Sequence, residues 1–173
     1  MSKGRVTSGM RPTGSIHLGN LHGALDNWVK LQSEYECYFF IVDWHALTTP
    51  GGGDAVGYEN VSKMRENVVD MAVDWVAAGL DPAKGAIFVQ SHGREVAELH
   101  LIFSMITPLG WLERNPTYRE MVQGYKIEHP SYGLLGYPTL QAVDILVYKG
   151  NFVPVGKDQE AHVNMTRDLA QRF

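Results

Sequence analysis

A turn rich in glycine and small residues, Ser8-Gly9-Met10-Arg11-Pro12-Thr13-Gly14-Ser15-Ile16-His17-Leu18-Gly19-Asn20-Leu21-His22-Gly23, joins a short strand expected over Gly4 to Thr7 to a helix. In the helix, Leu21, Ala24, Leu25, Trp28, Leu31 and Tyr35 recur at three- and four-residue spacing, the stripe of one buried face. A strand that feeds a helix through such a turn points to an α/β fold. The turn also exposes backbone N–H groups at the positive end of the helix dipole, which suits a polyphosphate. Neither G-x-G-x-x-G nor G-x-x-x-x-G-K-[ST] occurs, which argues against a dinucleotide fold and against a P-loop.

The rest of the chain repeats the alternation. Cys37 to Asp43 is a nearly continuous apolar run, as in a strand buried on both faces of a parallel sheet. Asp43-Trp44-His45-Ala46-Leu47-Thr48-Thr49 follows at its C-terminal end, where ligands bind in open α/β sheets. After a loop at Pro50 to Asp54, a helix is expected from Tyr58 to Ala78, with Val61, Met64, Val68, Ala72, Trp75 and Val76 inward and Gly79 as its stop. Ala86 to Gln90 reads as a strand. A helix from about Arg94 follows, with Val96, Leu99, Ile102, Phe103 and Ile106 inward, broken at Thr107-Pro108-Leu109-Gly110. Trp111 to Leu135 reads as an excursion from the sheet, helical around Tyr118 to Gln123, with a loop at Glu128 to Gly133. Helix resumes at Pro138 and runs to about Tyr148, Asn151 to Val155 is a short strand, and a last helix starts near Asp158. No Gly, Asn or Pro closes that helix, so a chain cut at its C-terminus is expected. The fold class is therefore α/β, a parallel sheet flanked by helices.

At 173 residues one domain with a sizeable core is expected. A net charge of −4 gives no sign of a strongly basic nucleic-acid module. Cys37, the single cysteine, cannot form an intramolecular disulfide and fits a reducing cytoplasm. No apolar stretch approaches the ~18 residues of a membrane span, and no signal-peptide pattern opens the chain.

Three stretches carry candidate chemistry. Tyr137, Gln141, Asp144 and Tyr148 fall on one side of a helix otherwise flanked by Leu140, Val143 and Val147. A carboxylate in such surroundings needs a partner, either a neighbouring protein group or a ring N–H or O–H of an aromatic ligand. Val153-Pro154-Val155-Gly156-Lys157-Asp158-Gln159 is a strand–Gly–helix start, with Asp158 either a cap or a contact to a ribose or amino acid. His45 is either a hydrogen-bonded core histidine or a site residue, and His22 and His162 read as structural or exposed. The histidines show no metal-ligand spacing. Arg94, Arg114, Arg119 and Lys126 read as solvated surface, with a nucleic-acid or other partner contact second.

In order along the chain, Pro12-Thr13-Gly14 with His17-Leu18-Gly19-Asn20, Ile41 to Thr48, Tyr137-Pro138 with Gln141 to Leu146, and Val153 to Gln159 with His162 and Thr166-Arg167-Asp168 resemble the class I aminoacyl-tRNA synthetases, in their tryptophanyl branch. The resemblance covers Val6 to Phe173. It implies a class I Rossmann-like catalytic domain over residues 1–173, truncated at the C-terminus, with a partly helical connective insertion at about 111–135. It implies ATP, brought with Mg2+, at Arg11, Pro12, Thr13, Gly19, Asn20, Gly156, Lys157 and Asp158, with His17 and Asn20 as catalytic residues. It implies L-tryptophan at Asp144, Gln159, Tyr137, Gln141, His45, Val153 and Val155, with Asp144 taking the indole N–H. The remaining implied partners are tRNA(Trp) and a second copy in a homodimer, with no protein-bound metal.

The sequence departs from that pattern in three places. Gln141 stands where tryptophanyl enzymes often carry Met, a feature shared with tyrosyl enzymes. Lys157 replaces a frequent acidic residue. A Lys-Met-Ser-Lys-Ser-like loop and a helical anticodon-binding domain are absent and would lie beyond Phe173, so weak activity of the chain alone is expected. A tyrosyl relative, a small nucleotidylyltransferase and a non-catalytic synthetase-derived module are the alternatives.

Overall fold

A computed structural model describes residues 4–51, 56–156 and 159–173. Three parallel strands, β1 (Arg5–Met10), β2 (Glu36–Ile41) and β3 (Gly85–Val89), form a sheet in that order. Val6 pairs with Cys37, and Cys37 with Gly85.

β1 is longer than the turn-like sequence suggested. Ser8, Gly9 and Met10 remain in the ladder opposite Phe39, Phe40 and Ile41. Gly9 is there for space and not for a turn, because a Cβ would stand 2.8 Å from both Phe40 Cε2 and Val42 Cγ1. Backbone pairing with a strongly apolar neighbour outweighed the local turn preference.

Helix α1 spans residues 18–34 in three pieces: Leu18–Asn20, a π-helical turn Leu21–Leu25, and Asp26–Glu34. Its stripe lies on one face of the sheet, where Trp28 stacks on Phe39 with centroids 4.6 Å apart and meets Trp75 edge-on at 5.1 Å. After β2 comes a single turn, α2 (Asp43–Ala46). Helix α3 (Met64–Ala77) covers the same face of the sheet. It begins six residues later than expected from Tyr58. Met71 and Trp75 are its buried residues, whereas Val61 and Val76, expected in the core, are 54% and 51% exposed. Gly79, with φ 107°, ends it.

On the other face, Tyr38, Phe40 and Phe88 meet Tyr148, the last two with ring centroids 5.1 Å apart. A second core joins α4 (Arg94–Ile106), α5 (Leu109–Glu113), α7 (Tyr132–Leu146) and α8 (Glu160–Arg172). In α4, Val96 and Phe103 are buried, but Ile102, expected inward, is 44% exposed. Helix α6 (Pro116–Gly124) is capped by Asn115, whose Oδ1 accepts from Thr117 N–H at 3.0 Å.

Helix α7 starts well before the expected Pro138 and takes up part of the expected loop. Ser131 Oγ caps it by accepting from Leu134 N–H at 3.1 Å, and Pro138 sits buried inside the helix. The expected strand at Asn151 to Val155 is reduced to one parallel bridge, Phe152 to Val6, beside β1. Cys37 is buried and not disulfide-bonded.

Candidate active site

The C-terminal ends of β1 and β2 open toward α7. Between them is a cavity of about 280 Å³ lined by Thr7, Ser8, Gly9, Met10 and Arg11 from β1 and its exit, by Phe40, Val42 and His45 from β2 and α2, and by Tyr137, Gln141, Asp144 and Ile145 from α7. Val153, Val155 and Gln159 complete the wall. Thus all seven residues of the expected amino-acid pocket meet around one cavity.

Asp144 is 3% exposed. His45 Nε2 donates to its Oδ2 at 2.9 Å, and Gln90 Nε2 lies 2.9 Å from Oδ1 and 2.7 Å from Oδ2. Protein donors therefore satisfy part of this carboxylate, and it also lines the cavity. His45 Nδ1 is buried without a hydrogen-bond partner. Because Nε2 donates to a carboxylate, this places the ring hydrogen on Nε2. Tyr137 packs edge-on to His45, with centroids 4.9 Å apart, and also against His162 at 5.2 Å.

Gln141 Nε2 donates to Gln159 Oε1 at 3.4 Å, and the buried Gln141 Oε1 has no partner. Gln159 Oε1 also lies 2.9 Å from Nδ1 of the fully buried His162, whose Nε2 is 3.1 Å from the Asn115 cap oxygen. Helix α6 and the cavity wall are thereby linked through one histidine.

Tyr148 does not reach the cavity. It lies against Phe40 and Phe88, where burial, reinforced by the Asp144 and Glu95 charges, pushes its phenol up to about 12. His100 has an imidazole held below its ordinary range by burial, with His45 acting in the same sense and Asp144 opposing.

A second cleft of about 430 Å³ adjoins the cavity through Ser8, Gly9, Met10, Val155 and Gln159, and is closed by Gly23, Ala24, Asn27, Trp28, Pro154 and Gly156. Gly23 and Ala24 lie in the π turn, a helix irregularity frequent at functional sites. Of the expected nucleotide residues, Gly156 lines this cleft and Arg11 lines the amino-acid cavity. Pro12, Thr13, His17, Gly19 and Asn20 line neither. Lys157 and Asp158 lie outside the described residues.

The loop before α1 is nevertheless ordered by its own bonds. Pro12 O accepts from Asn67 Nδ2 at 3.1 Å, His17 N–H donates to Asn20 Oδ1 at 3.2 Å, and Asn20 N–H donates to His17 O at 2.9 Å. A Cβ on Gly19 would sit 2.9 Å from the His17 ring, so glycine sets where that imidazole can lie.

Sequence reasoning missed Gln90, Asn115 and the role of His162. A signal for Gln90 was present: a polar residue ends an apolar strand at the ligand-binding edge of the sheet. Asn115 before Pro116 was legible as a helix cap. Among the described residues, no group of three or more His, Cys, Asp or Glu side chains could hold a metal, and no helix is long and apolar enough to cross a membrane.

A parallel sheet flanked by helices, with an aromatic cavity and an adjoining cleft at its strand ends, defines a Rossmann-like domain. The family model described as tRNA synthetases class I (W and Y) matches residues 2–173, and the chain belongs to that family. It is 56% identical over 170 residues to the tryptophan–tRNA ligase of Ralstonia nicotianae, covering 98% of this chain and 41% of that protein. Against the tryptophan–tRNA ligase of Thermotoga maritima it is 52% identical over 172 residues, covering 98% of this chain and 50% of the relative. The chain thus spans about half the length of the curated relatives it matches. The crystal structure of tryptophanyl-tRNA synthetase from Campylobacter jejuni complexed with ADP and tryptophan superposes with a TM-score of 0.86 at 37% identity, covering 97% of this chain and 50% of that one. A tyrosyl-tRNA synthetase from Archaeoglobus fulgidus complexed with L-tyrosine shares the fold, with a TM-score of 0.79 at 24% identity, covering 99% and 52% of the two chains.

Proposed function

We propose that this chain is the amino-acid-activating part of a tryptophan–tRNA ligase. It binds L-tryptophan in the cavity and ATP, with Mg2+ carried on the phosphates, in the adjoining cleft. The reaction is attack of a tryptophan carboxylate oxygen on the α-phosphorus of ATP, forming the mixed anhydride tryptophanyl-adenylate and releasing pyrophosphate. Transfer to tRNA(Trp) then breaks the anhydride and releases AMP. The observation that carries this reading is Asp144, a carboxylate 3% exposed that faces an aromatic cavity next to a second cleft at the strand ends.

In this reading Asp144 Oδ1 accepts the indole N–H. Tyr137, Gln141, His45, Val153 and Val155 enclose the ring, and Gln159, which lines both spaces, lies beside the reacting end. Adenylate formation needs little covalent help, so positioning and charge stabilisation dominate. His17 and Asn20 at the start of α1, with Arg11, Pro12, Thr13, Gly19, Gly156, Lys157 and Asp158, hold the nucleotide and the charge that develops on its phosphates. Helix α6 and the end of α5 fall within the connective insertion at about 111–135. The chain works in the cytoplasm as half of a homodimer. The outer row Leu101, Ile102, Met105 and Leu109, exposed by 59%, 44%, 73% and 62%, is an apolar face suited to a second copy.

The test is a thermal-shift panel of the amino acids, each with and without Mg·ATP, because a ligand bound only by the folded chain raises its apparent stability. A shift with tryptophan that disappears in Asp144→Ala is expected. A shift with tyrosine instead would transfer the chain to the tyrosyl reading, and no shift with either would refute amino-acid binding by this half.

A further inference from the structure

Asp144 could rotate about its terminal torsion, which is soft in a free carboxylate. Here it is held from two sides. Gln90 Nε2 lies across both oxygens at 2.9 and 2.7 Å, and His45 Nε2 is 2.9 Å from Oδ2. The orientation of the Gln90 amide is itself determined, since its Oε1 accepts the Trp44 backbone N–H at 3.2 Å. Gln90 is 0% exposed and follows β3 directly, at the start of a 3-10 turn, so it has little freedom to turn. Oδ2 therefore has two donors and Oδ1 one, and the remaining acceptor capacity lies on Oδ1.

We infer that Gln90 is a positioning residue that sets the amino-acid specificity of the site, by holding the Asp144 carboxylate with Oδ1 toward the ligand. The inference rests on the reading of Asp144 as the ring N–H acceptor. Around Asp144 the Gln90 and His45 N–H groups both face the carboxylate, and the acceptor capacity left on Oδ1 matches an indole N–H, which only donates.

Isothermal calorimetry on the whole 173-residue chain tests this with L-tryptophan and β-(3-benzothienyl)-L-alanine, in which sulfur replaces the ring N–H. In the unaltered chain tryptophan binds at least about tenfold more tightly, the size of one hydrogen bond to a charged group. In Gln90→Met, which keeps side-chain length without either amide group, that preference falls toward one, while affinity for the benzothienyl analogue stays within about threefold. Gln90→Leu, which likewise removes the donor to Asp144, behaves the same way.

Equal loss for both ligands would make Gln90 merely structural and overturn the inference, as would an unchanged preference. A preference absent from the unaltered chain would remove the reading of Asp144 as well. Should both variants fail to fold, nitrogen-edited NMR of the unaltered chain decides. The buried Gln90 amide protons are expected to shift with tryptophan and much less with the analogue, and equal shifts would refute the role.

Discussion

Asp144→Asn separates what the buried carboxylate does for folding from what it does for the ligand. The asparagine oxygen settles at the Oδ2 position, where His45 and Gln90 both donate, and its NH2 group takes the Oδ1 position. For stability two effects oppose. Hydrogen bonds from His45 and Gln90 to a charged acceptor, worth about 1.5–3 kcal/mol each, become neutral ones, and the Gln90 contact at the Oδ1 position is lost because two donors then meet. Against this, the desolvation cost of a nearly fully buried carboxylate, several kcal/mol, is relieved. The net change is expected within about 2 kcal/mol, a Tm change under about 8 °C for a chain of this size.

For the ligand nothing offsets the loss. The ring N–H exchanges a carboxylate oxygen for a second donor, so a charged hydrogen bond disappears and a buried N–H is left unpaired. Together these cost about 3–5 kcal/mol, or roughly 200- to 4,000-fold in Kd. Scanning calorimetry reads the first quantity and titration calorimetry with L-tryptophan the second. Tryptophan bound as tightly by the variant as by the unaltered chain would refute Asp144 as the N–H acceptor. A Tm drop beyond about 15 °C would show that the His45–Asp144–Gln90 group serves chiefly the fold.

Gly19→Ala is expected to leave tryptophan binding unchanged and to slow adenylate formation about tenfold or more, since its Cβ would stand 2.9 Å from the His17 ring; pyrophosphate-exchange kinetics check it. The Tyr148 phenol, raised from an ordinary value near 10 to about 12, contributes stability that is complete below pH 10 and is lost as pH rises through 12. Thermal denaturation at pH 9 and pH 11.5 should therefore show a smaller alkaline decrease in Tyr148→Phe than in the unaltered chain. His100 has the opposite sign: with its folded value lowered from 6.5, its contribution is complete above that pH and declines as pH falls through the lowered value. His100→Gln should flatten the Tm profile below pH 6.5. Gly79→Ala, at φ 107°, should cost about 1–2 kcal/mol in urea denaturation without altering ligand affinity.

Much of the site was legible because it lies where local patterns end. The apolar run of β2 announces a buried strand, so His45 just beyond it falls at the edge where ligands bind. The stripe of α1 is buried as expected, whereas His17, Gly19 and Asn20 at its start line neither cavity nor cleft. The line Tyr137, Gln141 and Asp144 is a one-face pattern that survives even though α7 begins earlier than periodicity suggested, because the helical period does not depend on where the helix is capped.

What periodicity misassigned has a common cause. Val76 and Ile102 fit their helical stripes, yet both are exposed, since which side of a stripe is covered depends on neighbours that local pattern does not name. Val61 lies before α3 begins and is exposed for that reason.

The amino-acid order by itself determined where the three strands of the sheet and most of the helices lie, though not their bounds, since these follow from side-chain period and turn residues over a few positions. Tertiary structure decided how far β1 runs, because Gly9 stays extended only with Phe40 and Val42 packed against it. It also decided which donors hold Asp144. Gln90 is 54 positions away and His45 is 99, and Asn115 reaches His162 across 47. A hydrogen bond depends on distance and direction in space, and no local spacing encodes those until the sheet and α7 have packed together.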